Sequence, residues 1–338
     1  MNQQARAVLS GASIVAAVGL LLAMPHLVGV GWADIGHRLG AVGPWTLAGL
    51  AALWIAGLAA YTFVLVASLP GLTHWRAFQL NAAGSGVSNL LPLGGALGVA
   101  ATFTMARPWG HSIPAITAST VVTGVWNVLA RMLLPAIGII ALVVVGEVPN
   151  RQLSAAAATA GITLILVAAA IGAALSWEGV ALSVDRFLGR IGDHLPSRIG
   201  DLLRSAGAFL LRVRADSLEV LRSGWPGLTA GMIGYFGLQG VLLAGCLAAA
   251  GQTLPIAELI AVFSINRVLT SAVVTPGGSG ITETGTAASL LHFGVEAGPA
   301  ATAVVLYSFF THIIEIPVGG LVWAGWLLRR PARTLPKT

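Results

Sequence analysis

The sequence predicts an all-α, polytopic integral membrane protein, with about six spanning helices and two re-entrant helical hairpins oriented oppositely as an inverted repeat. Three observations carry this expectation. Of 338 residues, 56% are hydrophobic and only 9% are charged, whereas soluble domains carry about 25% charged residues. With a mean hydropathy of +0.87, the chain lacks the polar side chains to cover a water-facing surface and must spend most of its length in lipid. Its apolar runs are long enough for membrane helices and lack the short alternating pattern of barrel strands. Two further apolar stretches are interrupted by proline and glycine. A soluble enzyme, a disulfide scaffold and an outer-membrane barrel are excluded. The single Cys246 lies in an apolar run and reads as inert packing.

Taken in order, spans are expected at residues 8–30, 44–68, 113–145, 153–176, 226–250 and 300–328. The first follows Arg6 like a signal peptide, but it is long for one and no small-x-small cleavage site is evident, so it reads as an anchor. Residues 113–145 would form a helix of about 50 Å at 1.5 Å per residue, so it must tilt, kink near Pro135 or project into the headgroups. Residues 77–105 are broken by Asn89-Leu90-Leu91-Pro92-Leu93-Gly94-Gly95, and residues 256–293 by Thr275-Pro276-Gly277-Gly278-Ser279-Gly280. Most of the resulting arms are too short to cross a ~30 Å core. Pro removes a backbone donor and Gly permits non-helical dihedrals, so both stretches read as hairpins turning at membrane depth. Such turns persist only inside protein or beside a wet cavity. Pro92, Gly94, Gly95 and Pro276 mark the hairpin breaks, against the plainer reading of glycine-rich helix kinks.

Basic residues orient the chain. With the N-terminus in the cytoplasm, fourteen of the eighteen Lys and Arg residues fall inside, two outside (Arg38 and Arg151) and two in the membrane (Arg131 and Arg267). That bias places both termini in the cytoplasm. It also explains a net charge of +6 without nucleic acid. The single transmembrane domain, 1–338, then divides into a first repeat at 44–145, a linker at 177–225 and an inverted second repeat at 226–328. Opposed repeats with broken helices at the midplane characterise transporters. The linker, with seven Arg and six acidic residues among apolar positions, is expected to lie on the inner headgroups as amphipathic helices separated near Pro196 and Gly200.

Ionisable groups in lipid are costly and face the protein interior. Four are expected at depth: Arg131, Arg267, Glu283 and Glu315. Thr120, Thr123, Asn127 and Arg131 share one helical face, and Ser308, Thr311, His312 and Glu315 share another on the corresponding helix. Two such stripes predict a shared polar crevice, or a buried Arg131–Glu315 ion pair within it. Glu283 falls in the first turn after the Gly277–Gly280 break, where a carboxylate also caps a helix. The same helix start, with Gly277, Gly278 and Gly280, can present N–H groups to an anionic headgroup, and Arg267 can hold a phosphate bidentately. Asn89 caps or lines the first break. Substrate contacts are thus expected from Arg131, Arg267, Asn89, Asn127, Gly277, Gly278 and Gly280. Glu283, Glu315 and His312 are candidates for cavity or proton-coupling roles. No metal cluster, Walker loop or dinucleotide fingerprint is evident, so no metal or cofactor is expected.

The Pro276-Gly277-Gly278-Ser279-Gly280-Ile281-Thr282-Glu283 stretch resembles the flippase-like membrane family related to the transmembrane region of bacterial lysylphosphatidylglycerol synthases. The family's second-half feature is a Pro-Gly-Gly-x-Gly run closely followed by Glu, and its first-half feature is the Asn-x-x-Pro matched by Asn89-Leu90-Leu91-Pro92. The resemblance covers about residues 44–330 and implies a lipid-translocating core with two re-entrant hairpins. Two departures remove charge from the cavity that it implies. Gly94-Gly95-Ala96 stand where the family often has Gly-Glu and then Arg, and Tyr307-Ser308 stand for the common Tyr-Arg. No aminoacyl-transferase domain follows residue 330 in this sequence, so lysyl transfer is not expected.

The leading expectation is therefore translocation of a phospholipid or isoprenoid-linked lipid across a bacterial cytoplasmic membrane. The substrate is a membrane lipid, with no nucleic-acid partner and no enzymatic activity. Two alternatives stand beside it. Gly277-Gly278-Ser279-Gly280 with His312 matches part of a rhomboid-type intramembrane serine protease, which needs the two side chains within hydrogen-bond reach. A non-transporting scaffold for a lipid-modifying enzyme fits the missing charges, and a homo-oligomer is compatible with either.

Overall fold

The computed structural model describes residues 21–90, 94–146, 197–270 and 278–329, with single positions at 19, 159, 162 and 166; over 197–216 it describes the backbone alone. The described residues are helical and contain no strand. After a helical turn at 21–27 come α1 (Trp32–Gly40), α2 (Pro44–Ser68), α3 (His74–Leu90) and α4 (Gly94–Ala106). A 3₁₀ turn, Arg107–Trp109, leads to α5 (Ile113–Val144), followed by α6 (Ser197–Ala249), α7 (Ile256–Leu269) and α8 (Ile281–His292). The last crossing is α9 (Ala297–Ser308), a π-helical turn (Phe309–Ile313) and α10 (Glu315–Arg329).

Among the described residues, four segments are long and apolar enough to cross a membrane: Pro44–Ser68, Ile113–Val144, Ser217–Ala249 and Ala297–Arg329. They match four of the six expected spans. The expected span at 153–176, most of that at 8–30, and the breaks at Pro92, Pro276 and Gly277 lie outside the described residues. Pro135 sits inside an unbroken α5, which starts at a Ser112 cap whose hydroxyl accepts the Ala115 N–H.

Pro226 is a correction to the expected boundary. The helix does not begin there: α6 runs through it as 53 residues, about 80 Å at 1.5 Å per residue. Residues 197–225 belong to the same continuous helix, so no break falls at Gly200; the rest of the expected linker, 177–196, lies outside the described residues. A proline is tolerated because neighbouring helices hold the segment on both sides of it. Here a glycine seam does so. A Cβ on Gly224 would meet the Ala67 carbonyl at 2.5 Å, one on Gly227 the Ala67 side chain at 2.9 Å, and one on Gly231 the Val64 backbone at 2.8 Å. Only glycine lets α6 lie this close to α2, the usual way helices associate in lipid. Gly224 near Ala67 and Gly245 near Leu50 also fix the two helices as antiparallel.

The hairpins exchange partners between the halves. The first (α3 and α4) rests its α3 arm on α10, and the second (α7 and α8) rests its α7 arm on α5. Both contacts are glycine crossings, at Gly86 on Gly319 and at Gly138 on Ala261. The first hairpin enters from the end marked by Ser68, Arg107 and Arg329. The second enters from the end marked by Pro44, Val144 and Ala249, so their directions are opposed. The main apolar core lies in the second half, among residues such as Leu243, Cys246, Val262, Leu290 and Leu306. A smaller cluster around Leu80, Met105, Ile116 and Trp326 closes the base of the first hairpin. Ahead of α2 lies α1, whose Asp34–Arg38 ion pair (3.0 Å) lies at the helix surface, with Arg38 over Gly298.

Candidate functional site

Where the two hairpin ends meet the long helices, a polar cavity of about 670 Å³ opens. That is within the ~300–1,000 Å³ of ordinary ligand sites. Its wall runs along α3 from Leu80 to Asn89, α4 from Gly94 to Thr102 and α5 from Ser119 to Arg131, and it ends against Tyr235, Gln239, Arg267 and Glu315. The cavity therefore occupies the half of the molecule nearer the Arg107 end and stops near the middle of the spans. The α5 stripe lines it completely, through Thr120, Thr123, Asn127 and Arg131.

Three charged side chains face this cavity. Arg267, 4% exposed, donates Nη1 to Gln239 Oε1 at 2.6 Å and both Nε and Nη2 to Asn266 Oδ1 at 3.0 and 2.6 Å. Its guanidinium also lies 5.4 Å from the Phe263 ring centroid and 6.0 Å from that of Tyr307, within cation–π range. Arg131 donates Nη1 to Thr270 Oγ1 at 3.1 Å, across from α5 to the end of α7.

Glu315, 7% exposed, accepts Asn89 Nδ2 at 2.9 Å and Trp54 Nε1 at 3.4 Å. The Arg131–Glu315 ion pair considered from sequence is replaced by these neutral donors. The cause is local. The π-helical turn ahead of Glu315 leaves the Thr311 and His312 carbonyls available, and Asn89 Nδ2 lies 3.4 Å from each. The asparagine at the end of the first hairpin is thereby drawn onto α10, and the carboxylate with it.

Glu283 is a second correction. It does not line the cavity. Its carboxylate accepts the Gly280 N–H and the Ser308 hydroxyl, both at 2.5 Å, in a site 2% exposed. It caps α8 and clamps that helix to α9. The N–H group that the sequence offered to an anionic headgroup is thus taken internally at Gly280, where φ is +86°. Gly278, with φ +76°, does line the cavity, and a Cβ there would stand 3.1 Å from Thr270 Cα. Gly94 and Gly95 line it as well, with the Gly94 carbonyl accepting the Ser88 hydroxyl at 3.0 Å. His312 is on the wall, its Nδ1 2.9 Å from Thr311 Oγ1. Ser279, unlike His312, is not among the residues of the cavity wall.

Several wall residues escaped the sequence reading. Asn81, Ser85 and Ser88 join the expected Asn89 in a polar stripe on α3 at helical spacing, which was legible. Gln239 was a lone amide in an apolar span and carried the same signal. Tyr61 and Tyr235 carried none, because aromatic residues in a span are ordinary. A separate cleft of about 560 Å³ lies between α5, α7 and α8 beyond Pro135, and its wall is almost wholly apolar. Among the described residues no group of three His, Cys, Asp or Glu side chains could hold a metal ion.

The model of the lysylphosphatidylglycerol synthase transmembrane region matches residues 8–319. The chain belongs to this family. No curated protein matches the chain. Membership accords with the all-helical membrane architecture and attaches a lipid-related function to it. In this member the cavity charge comes from Arg131, Arg267 and Glu315; the first hairpin supplies amides and hydroxyls in their place.

Proposed function

We propose that this protein translocates a phosphate-bearing membrane lipid, a phospholipid or an isoprenoid-linked lipid, across a bacterial cytoplasmic membrane. The observation that supports it is the convergence of Arg131 from the first half and Arg267 from the second on one polar cavity at mid-span. A phosphate crossing hydrocarbon loses its hydration at a cost of many kcal/mol. Amides, hydroxyls and two guanidiniums along the route replace that hydration, while the acyl or prenyl chains stay in the bilayer. Arginine suits this task because its planar fork holds phosphate oxygens bidentately.

The cavity lies in the half that the excess of Arg residues places toward the cytoplasm. This arrangement corresponds to an inward-facing state, with both termini cytoplasmic. The opposite half, around α6, α7 and α9, is closed by the apolar core. Transport would exchange the two, as inverted repeats do when they rock about a central site. The protein acts as a carrier and not as an enzyme, with membrane lipid as its partner and no cofactor. The test is scrambling of tail-labelled lipids in proteoliposomes. Wild type should move lipid, and the Arg131→Ala, Arg267→Ala double variant should slow it at least about tenfold, the equivalent of 1.4 kcal/mol of lost stabilisation. Equal rates for the two proteins refute the proposal.

A further inference from the structure

We infer that the headgroup carried by this cavity bears a primary amine beside its phosphate, as in an ethanolamine-type phospholipid, and that Glu315 reads the amine. This rests on the translocase reading above and names its substrate class.

Arg267 and Glu315 are 4% and 7% exposed and face the same cavity. A buried ion pair repays its desolvation only with close geometry and further hydrogen bonds. Here the carboxylate is instead dressed by an amide and an indole N–H, and the Arg267 guanidinium takes the oxygens of Asn266 and Gln239. The walls of one cavity therefore present a cationic side, Arg131 and Arg267, and an anionic side, Glu315. A headgroup with negative charge alone is attracted by the first and repelled by the second in a medium that screens poorly. A free phosphate monoester meets the same conflict. A headgroup with phosphate and ammonium two carbons apart satisfies both walls at once, and complementarity of this kind selects between ligands.

The position of Glu315 strengthens the assignment. Its carboxylate also holds Asn89, in the last turn of α3 before the break of the first hairpin. An ammonium ion offers three donors, so it can engage the carboxylate while Asn89 retains its contact. The amine then arrives where the first hairpin is anchored.

The test uses full-length protein in proteoliposomes with two lipids labelled on the acyl chain, a phosphatidylethanolamine and a phosphatidylglycerol. Wild type should move the ethanolamine lipid about tenfold faster, the ratio that 1.4 kcal/mol of discrimination gives. Glu315→Gln keeps an acceptor oxygen for Asn89; it should slow the ethanolamine lipid far more than the glycerol lipid. An N-acetylated ethanolamine lipid, uncharged at nitrogen, should move in wild type only as fast as the glycerol lipid. This arm needs no variant and stands even where Glu315→Gln fails to fold. Equal rates for all three lipids in wild type, or equal slowing of both by Glu315→Gln, overturn the inference and leave the translocase reading intact. Movement of none of them refutes that reading and the inference together.

Discussion

The two hairpins share a plan and differ in what holds them. Each rests its first arm on the last crossing of the other half through a glycine contact. Each is also tied near its end to an ionisable residue of that crossing, Asn89 to Glu315 and Thr270 to Arg131. Beyond this the likeness ends. In the second hairpin, α8 is clamped by the Glu283 carboxylate and by the Asn266–Thr286 hydrogen bond of 2.9 Å, inside the apolar core. In the first, α4 contains no carboxylate and packs chiefly on its own partner arm, with its inner glycines on the cavity wall. The same topology thus yields one hairpin fixed by buried polar bonds and another held at one end. The lesson is that an inverted repeat can be symmetric in chain path and asymmetric in its tethers, and the less tethered hairpin supplies more of the cavity wall.

Substitutions can break this comparison. The largest effect is expected at the crossing itself. A Cβ at Gly86 would stand 2.9 Å from the Glu315 carbonyl and 3.0 Å from Gly319 Cα, and backbone cannot yield to it. Gly86→Val should cost about 3 kcal/mol, seen as a lower unfolding midpoint in detergent and loss of monodisperse protein. Gly138→Val, at the counterpart crossing, should do the same more mildly, since its nearest backbone neighbour is 3.2 Å away.

Glu283→Ala comes next. It leaves the Gly280 N–H and the Ser308 hydroxyl without their acceptor in a buried site, at about 2 kcal/mol. Hydrogen exchange should rise in α8 and stay unchanged in α3. Asn89→Ala reverses that pattern. With about 1 kcal/mol of stabilisation removed, exchange should rise at the end of α3 and remain slow in α7 and α8. A uniform rise in both variants would show that the hairpins are one cooperative unit and that their difference is only geometric.

The smallest effect concerns the entrance of the first hairpin. Burial, and then the neighbouring Arg76 charge, hold the His111 imidazole below its ordinary value. The fold favours neutral His111, so its contribution is complete above about pH 6.5, the unfolded value, and is lost as pH falls further. The unfolding midpoint should drop more between about pH 7.5 and pH 5.5 in wild type than in His111→Gln. Equal drops would remove His111 from this role.

Much of the plan was legible because hydropathy and charge are properties of local sequence. The long apolar runs at 44–68 and 113–145 have one stable solution in lipid, a helix with its backbone bonds internal. Glycine and proline breaks had to fall between arms too short to span. Arg131, Arg267 and Glu315 had to face inward because ionised groups in hydrocarbon are too costly elsewhere. The Thr120 to Arg131 stripe follows from helical period alone, and all its members lie on the cavity wall.

Partnership was not legible. Sequence placed Arg131 and Glu315 at similar depth on corresponding helices, yet depth says nothing of which neighbour lies within 3 Å. Glu315 takes Asn89 because a π-helical turn draws the hairpin end onto α10. Glu283 takes Ser308 because α8 packs on α9. Pro226 stays inside α6 because a glycine seam across the α2 interface holds the helix on both sides of it. One-dimensional pattern decided what must be in the membrane and what must be hidden there. Only the tertiary structure decided which hidden groups touch, because a hydrogen bond is lost over an ångström and helix spacing is set by residues hundreds of positions apart.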